Sequence, residues 1–121
     1  MLLGLRTAIY PVADLTQAKQ WYEQVLGVKP YFDQPFYVGF AVGGFELGLL
    51  PNGTPGTSGP QPLWGVVSAS AAFQRLLALG ATELEPVTDV GEGIKVAAVK
   101  DPFGNRLGII ENPNFKVSEA H

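Results

Sequence analysis

Apolar positions along this chain switch between a two-residue and a helical period, and they do so twice in the same order. Gly4 to Tyr10 reads as a strand that Pro11 ends. Leu15, Ala18, Trp21, Tyr22, Val25 and Leu26 then recur at helical spacing, leaving Lys19, Gln20 and Glu23 outside. Asp14 is placed to cap this helix, Gln17 stands where a capping box wants an acceptor, and Gly27 and Pro30 close it. Val28 to Asp33, Phe36 to Val42 and Phe45 to Leu50 read as three strands, divided by Pro35 and by Gly43-Gly44. The second pass opens with a strand from Leu63 to Val67. Ser68 or Ser70 can cap a helix running to Leu79, with Phe73, Leu76 and Leu77 on its apolar face and Gly80 at its end. Three strands follow: one within Ala81 to Val87, one from Ile94 to Lys100, and one through Leu107, Ile109 and Ile110. Asp89-Val90-Gly91-Glu92-Gly93 is the turn between the first two.

The repetition reaches individual residues. Gly44-Phe45-Glu46-Leu47-Gly48-Leu49-Leu50-Pro51-Asn52 lines up with Gly104-Asn105-Arg106-Leu107-Gly108-Ile109-Ile110-Glu111-Asn112. Asp101-Pro102-Phe103-Gly104-Asn105, before the second copy, has the residue order of a tight turn. The expected fold is α+β: two tandem βαβββ modules forming a curved mixed sheet around a cavity, with helices on the outer face. Residues 1–50 are the first module, 51–62 a Gly/Pro-rich linker, 63–112 the second module and 113–121 a loosely held tail, one domain in all.

Composition narrows the function classes. With 46% apolar and 16% charged residues the chain can build a core and does not read as disordered. Net charge is −3 and the lysines and arginines are scattered singly, which leaves no footprint for nucleic acid. No apolar run approaches a membrane span or a signal peptide, so a cytoplasmic protein without a membrane partner is expected. Absence of cysteine excludes disulfides and thiolate chemistry.

Val12-x-Asp14-Leu15-x6-Tyr22-x3-Leu26-Gly27 in the first module, with Leu76-x2-Leu79-Gly80-Ala81 and Asp101-Pro102-x-Gly104-Asn105 in the second, resembles the vicinal oxygen chelate superfamily. That superfamily includes glyoxalase I, extradiol dioxygenases and bleomycin-resistance proteins, and the likeness runs over roughly residues 2 to 112. It implies four metal-ligand positions, which fall here on Thr7, Gly48, Gln61 and Gly108. A divalent ion of this class wants imidazole nitrogen and carboxylate oxygen at about 2.0–2.2 Å. Two of these positions have no side chain, two are neutral, and the one histidine is the terminal His121. No metal, no cofactor and no metal-dependent lyase or dioxygenase activity is therefore expected. Glu46 and Glu111 alone would make a weak alternative site.

Residues two apart on a strand share a face. If Gly48 and Gly108 face the cavity, so do Glu46, Leu50, Arg106 and Ile110, and Thr7 brings Leu5 and Ile9. Arg106 could hold a carboxylate or phosphate through two hydrogen bonds, with Glu46 orienting it. The glycines would widen the cup, and Trp64, Tyr31, Phe32, Phe36, Tyr37, Phe40 and Phe103 are candidates to line it. Thr7, Glu46, Gly48, Gln61, Trp64, Arg106 and Gly108 are the expected ligand-binding residues. The leading expectation is a metal-independent binder of an apolar or aromatic ligand, with an anionic group as an option. The resemblance implies a homodimer. A metal-free enzyme with Glu46 as base, and an interaction module without a ligand, remain as alternatives.

Overall fold

The chain forms two βαβββ modules, seen in a computed structural model that describes residues 3, 5–58 and 61–114. Expectations for Gly4, for residues 59–60 of the linker, and for the tail beyond 114 with His121 lie outside those residues. The two compact units divide between Pro55 and Gly56.

In the first unit β1 (Thr7–Pro11) is followed by α1 (Leu15–Leu26), β2 (Phe32–Gln34), β3 (Tyr37–Val42) and β4 (Phe45–Leu50). The sheet order is β1-β4-β3-β2, with β1 parallel to β4 and the other pairs antiparallel. Asp14 caps α1, its carboxylate accepting from the Gln17 N–H at 3.0 Å. Ala18, Trp21 and Tyr22 recur at the spacing of one helical face and are buried. They meet Tyr10, Val38, Phe40, Leu47 and Leu49, all buried, on the helix-facing side of the sheet. Tyr22 sits edge-on to both Tyr10 and Trp21, with ring centroids 6.1 and 4.8 Å apart. Phe40 therefore belongs to the core and not to a ligand wall. Pro11 is the last residue of β1 and still pairs with Leu50, which an edge strand allows because its outer side needs no donor.

The second unit repeats this plan with β5 (Leu63–Gly65), α2 (Ala69–Ala78), β6 (Thr82–Gly91), β7 (Ile94–Lys100) and β8 (Arg106–Glu111), in sheet order β5-β8-β7-β6. Ser68, not Ser70, caps α2, accepting from the Ala71 N–H at 3.2 Å. Glu111 adds a carboxylate at the same end, accepting from the Ala69 N–H at 2.8 Å. That placement suits the partial positive charge of a helix N-terminus and gives Glu111 a structural role. β6 runs on to Gly91, beyond the expected end at Val87. Its reversal needs only Glu92 and Gly93, both at positive φ (57° and 77°), the backbone that hairpin turns require. β6 is also an edge strand broken by register shifts, the first between Glu83 and Glu85.

The Asp101–Asn105 turn is built around a buried carboxylate. Asp101 Oδ1 accepts from the N–H groups of Phe103 and Asn105, each at 2.9 Å. Gly104 takes φ 94°, which a side chain would oppose. Asn105 is also buried, and its amide oxygen accepts from the Gly56 N–H at 3.1 Å, fastening the start of this unit's chain to its last strand.

Candidate functional site

Each sheet has a helix-facing side and an opposite, open side. The register places Thr7 and Ile9 of β1, Glu46, Gly48 and Leu50 of β4, and Tyr37, Gly39 and Ala41 of β3 together on the open side of the first sheet. Gly39 and Gly48 are direct cross-strand partners, so two adjacent strands present bare backbone at the same level. Aromatic side chains lie in this trough. A Cβ on Gly48 would run into the hydroxyl end of Tyr37, meeting its Cε1 at 2.8 Å. One on Gly39 would meet Glu46 Oε2 at 2.6 Å, Tyr31 Cε1 at 3.1 Å and Tyr37 Cε2 at 3.3 Å.

These contacts change the meaning of Gly48. Its missing side chain does not widen a cup, because the Tyr37 ring takes up the space. The glycines are there so that Tyr31 and Tyr37 can lie flat enough to reach Glu46.

Glu46 is the polar centre of this face. Thr7 Oγ1 donates to Oε1 at 2.8 Å, and the Tyr31 hydroxyl donates to Oε2 in a short hydrogen bond. The Tyr31 bond is the main cause of a lowered Glu46 pKa, with smaller help from the Thr7 and Tyr37 hydroxyls; partial burial pulls the other way. The tyrosines respond in the opposite sense. Donation to Glu46 raises the Tyr31 pKa, and burial, followed by Glu46, pushes Tyr37 up to about 12. At neutral pH the group is therefore a carboxylate ringed by protonated hydroxyls.

Around it stand exposed rings. Phe32 lies 6.5 Å from Tyr31, 5.9 Å from Phe36 and 6.0 Å from Tyr37, centroid to centroid. Tyr31 and Phe36 are 64% and 63% exposed, far beyond what a core residue shows.

The open side of the second sheet carries Leu63, Arg106, Gly108 and Ile110. Arg106 Nη2 donates to both oxygens of Glu85, at 2.9 and 2.8 Å, reaching across β7 where Ala98 presents only a methyl. Each member of the expected Glu46–Arg106 pair thus has partners within its own module. The place of a Gly108 side chain is taken by Leu63 Cδ2, at 2.7 Å from an added Cβ, and by the Pro62 carbonyl oxygen at 3.1 Å. Trp64 pairs with Ile109 and stands on the helix-facing side, away from the Gly108 face where the sequence placed it. Gln61 is exposed and lies two residues before Leu63, the partner of Gly108, as Thr7 lies two before Ile9, the partner of Gly48.

These residues do not fit a divalent ion. Tyr37 fills the Gly48 position, Leu63 fills the Gly108 position, and neither is a ligand of that chemistry. Among the described residues no three His, Cys, Asp or Glu side chains converge.

What sequence reading missed was the use of the tyrosine hydroxyls on Glu46 and the pairing of Glu85 with Arg106. Tyr31 and Tyr37 were legible as lining candidates, but their convergence depends on the β2–β3 hairpin and on the opposed glycines.

The sequence matches the family model described as Glyoxalase/Bleomycin resistance protein/Dioxygenase superfamily over residues 4–109. No protein of curated function matches it. Several solved structures share the fold. A glyoxalase-related enzyme from Fulvimarina pelagi aligns with TM-score 0.78 at 21% identity, over 98% of this chain and 94% of its own. A lactoylglutathione lyase from Agrobacterium tumefaciens aligns at 0.74 and 19% identity, over 96% and 100%. A glyoxalase/bleomycin resistance protein from Albidiferax ferrireducens T118 aligns at 0.71 and 21% identity, over 90% and 98%.

Proposed function

The chain belongs to the Glyoxalase/Bleomycin resistance protein/Dioxygenase superfamily, and from that membership we propose that it binds a small molecule without a metal, on the open face of its first sheet beside Glu46. The observation that carries this reading is the constellation itself. A carboxylate is positioned by Thr7 and Tyr31 amid rings that stay exposed to solvent. Rigid aromatic surface with a few oriented polar groups is the usual make-up of a small-molecule site. The ligand's body is apolar or aromatic.

An anionic group at Arg106 is less favoured. Glu85 already matches its charge, and the Nε–H, which has no hydrogen-bond partner among the described residues, is buried. Glu46 as a catalytic base is less favoured as well, because the hydroxyls that hold it stabilise the carboxylate and weaken its hold on a proton.

We further propose a homodimer, since Ile9 and Leu50 of the first sheet and Leu63 of the second leave large apolar surface exposed. Sedimentation showing only monomer at tens of micromolar would contradict it.

Metal analysis and thermal unfolding together test the main proposal. The purified protein should hold far less than one equivalent of metal. After chelation it should still be stabilised by ligand, by about 2.7 kcal/mol at 100 times Kd. Near one zinc, nickel, iron or manganese per chain, needed for that stabilisation, would sink the idea.

A further inference from the structure

Resting on the small-molecule reading above, we propose that the ligand's anchoring group is a cation: an alkylated ammonium on an apolar or aryl body, seated between Glu46 and the rings of Tyr31, Phe32 and Phe36. The argument begins with an uncompensated charge. Neither Lys19–Asp33 nor Arg106–Glu85, the ion pairs formed by these side chains, involves Glu46. Its hydrogen bonds come from the neutral hydroxyls of Thr7 and Tyr31, which orient and spread the charge without cancelling it. A carboxylate offers about four lone-pair sites, so the anion keeps acceptor capacity toward a ligand.

The surroundings match that charge in kind. Aromatic faces are the negative part of the ring quadrupole and attract cations within about 6 Å of the centroid. Phe32 brings Tyr31, Phe36 and Tyr37 together at centroid distances of 5.9 to 6.5 Å, and the Tyr31 and Tyr37 rings lead directly to the carboxylate. Gly39 and Gly48 leave the room in which the Tyr31 and Tyr37 rings lie against the sheet beside Glu46.

Alternatives fare worse on the same surface. An anion would be repelled by Glu46. A neutral ring would cover the carboxylate and strip its water without replacing the interaction. A primary ammonium would need several acceptors, whereas an alkylated one loses little hydration and presents a broad apolar shell to the rings. The charge on Glu46 selects the sign, and the exposed Tyr31 and Phe36 select the alkylated form.

NMR titration of the full chain with benzyltrimethylammonium, benzyl alcohol and phenylacetate tests this. The cation should give saturable shifts at Tyr31, Phe36 and Tyr37, and should bind at least roughly tenfold more tightly than the neutral or anionic probe. Glu46→Gln, with thermal unfolding to confirm that it is folded, should weaken the cation roughly tenfold and leave benzyl alcohol unchanged. Phe36→Leu is a second variant at an exposed position where folding is not at stake. It should weaken the cation severalfold through the lost ring face. If the three probes bind equally and Glu46→Gln changes nothing, the cation inference is wrong and the small-molecule site stands. If no probe shifts this face at millimolar concentration, both are wrong.

Discussion

Glu46 and Gly48 sit two residues apart on one strand, and each takes its meaning from a tyrosine. For Glu46 the consequence is a pH dependence. Its pKa is lower in the folded chain than in the unfolded one, chiefly through Tyr31. A group shifted that way contributes stability above its unfolded pKa, and the contribution disappears as pH falls through the folded value. The stability difference between the wild type and Glu46→Gln should therefore be constant at neutral pH and shrink as the solution is acidified below about 4.5. Unfolding midpoints across that range check it, and a difference that grows on acidification would contradict the hydrogen bonding described. For Gly48 the consequence is steric. A methyl there meets the hydroxyl end of Tyr37, so Gly48→Ala should cost about 1–3 kcal/mol. The same substitution in a Tyr37→Ala background should cost much less. Equal costs in a double-mutant cycle would mean that Tyr37 does not fill that space. The family resemblance marked Gly48 in the sequence, and strand alternation from it marked Glu46. It could not show that the glycine serves a tyrosine, because that follows from a hairpin register set by long-range pairing.

At the level of elements, the helices and their caps were legible because their signals are local. Asp14 and Ser68 act within three residues, and the apolar spacing of Ala18, Trp21 and Tyr22 is visible without a partner. Strand β6 was less legible. A register shift after Glu83 lets two residues of alternating sequence take opposite faces, Glu83 with Val99 and Glu85 with Ala98. Strict alternation would have put both glutamates on one face, and so the partner of Arg106 was hidden. The turn before β8 was legible as a turn, but the structure adds why its first residue is aspartate. Asp101 is 2% exposed and satisfies two backbone donors with one oxygen. Asp101→Ala would leave those N–H groups without their acceptor and should cost about 2–3 kcal/mol in chemical denaturation. Asp101→Asn, which keeps an oxygen in place, should cost clearly less. Equal losses for the two variants would show that the charge, and not the acceptor geometry, holds the turn.

Across the whole molecule, the duplication was the most legible feature, since Gly44–Asn52 and Gly104–Asn112 share Gly, Leu, Gly and Asn at matching positions and the two sheets repeat strand by strand. Chemistry did not follow the duplication. The equivalent positions Glu46 and Arg106 carry opposite charges and have separate partners, hydroxyls for one and a carboxylate for the other. The repeated pattern of the modules fixes where the backbone goes. The side chains that cross the open faces decide what each can hold. The first module has the exposed rings and the unmatched charge, so the account stands or falls there. The most direct test is an NMR titration of chelator-treated protein with small aromatic compounds, repeated after adding zinc and nickel. The account predicts saturable shifts at Thr7, Tyr31, Phe36, Tyr37 and Glu46 that are the same with and without metal. Shifts that appear only once metal is restored would contradict it.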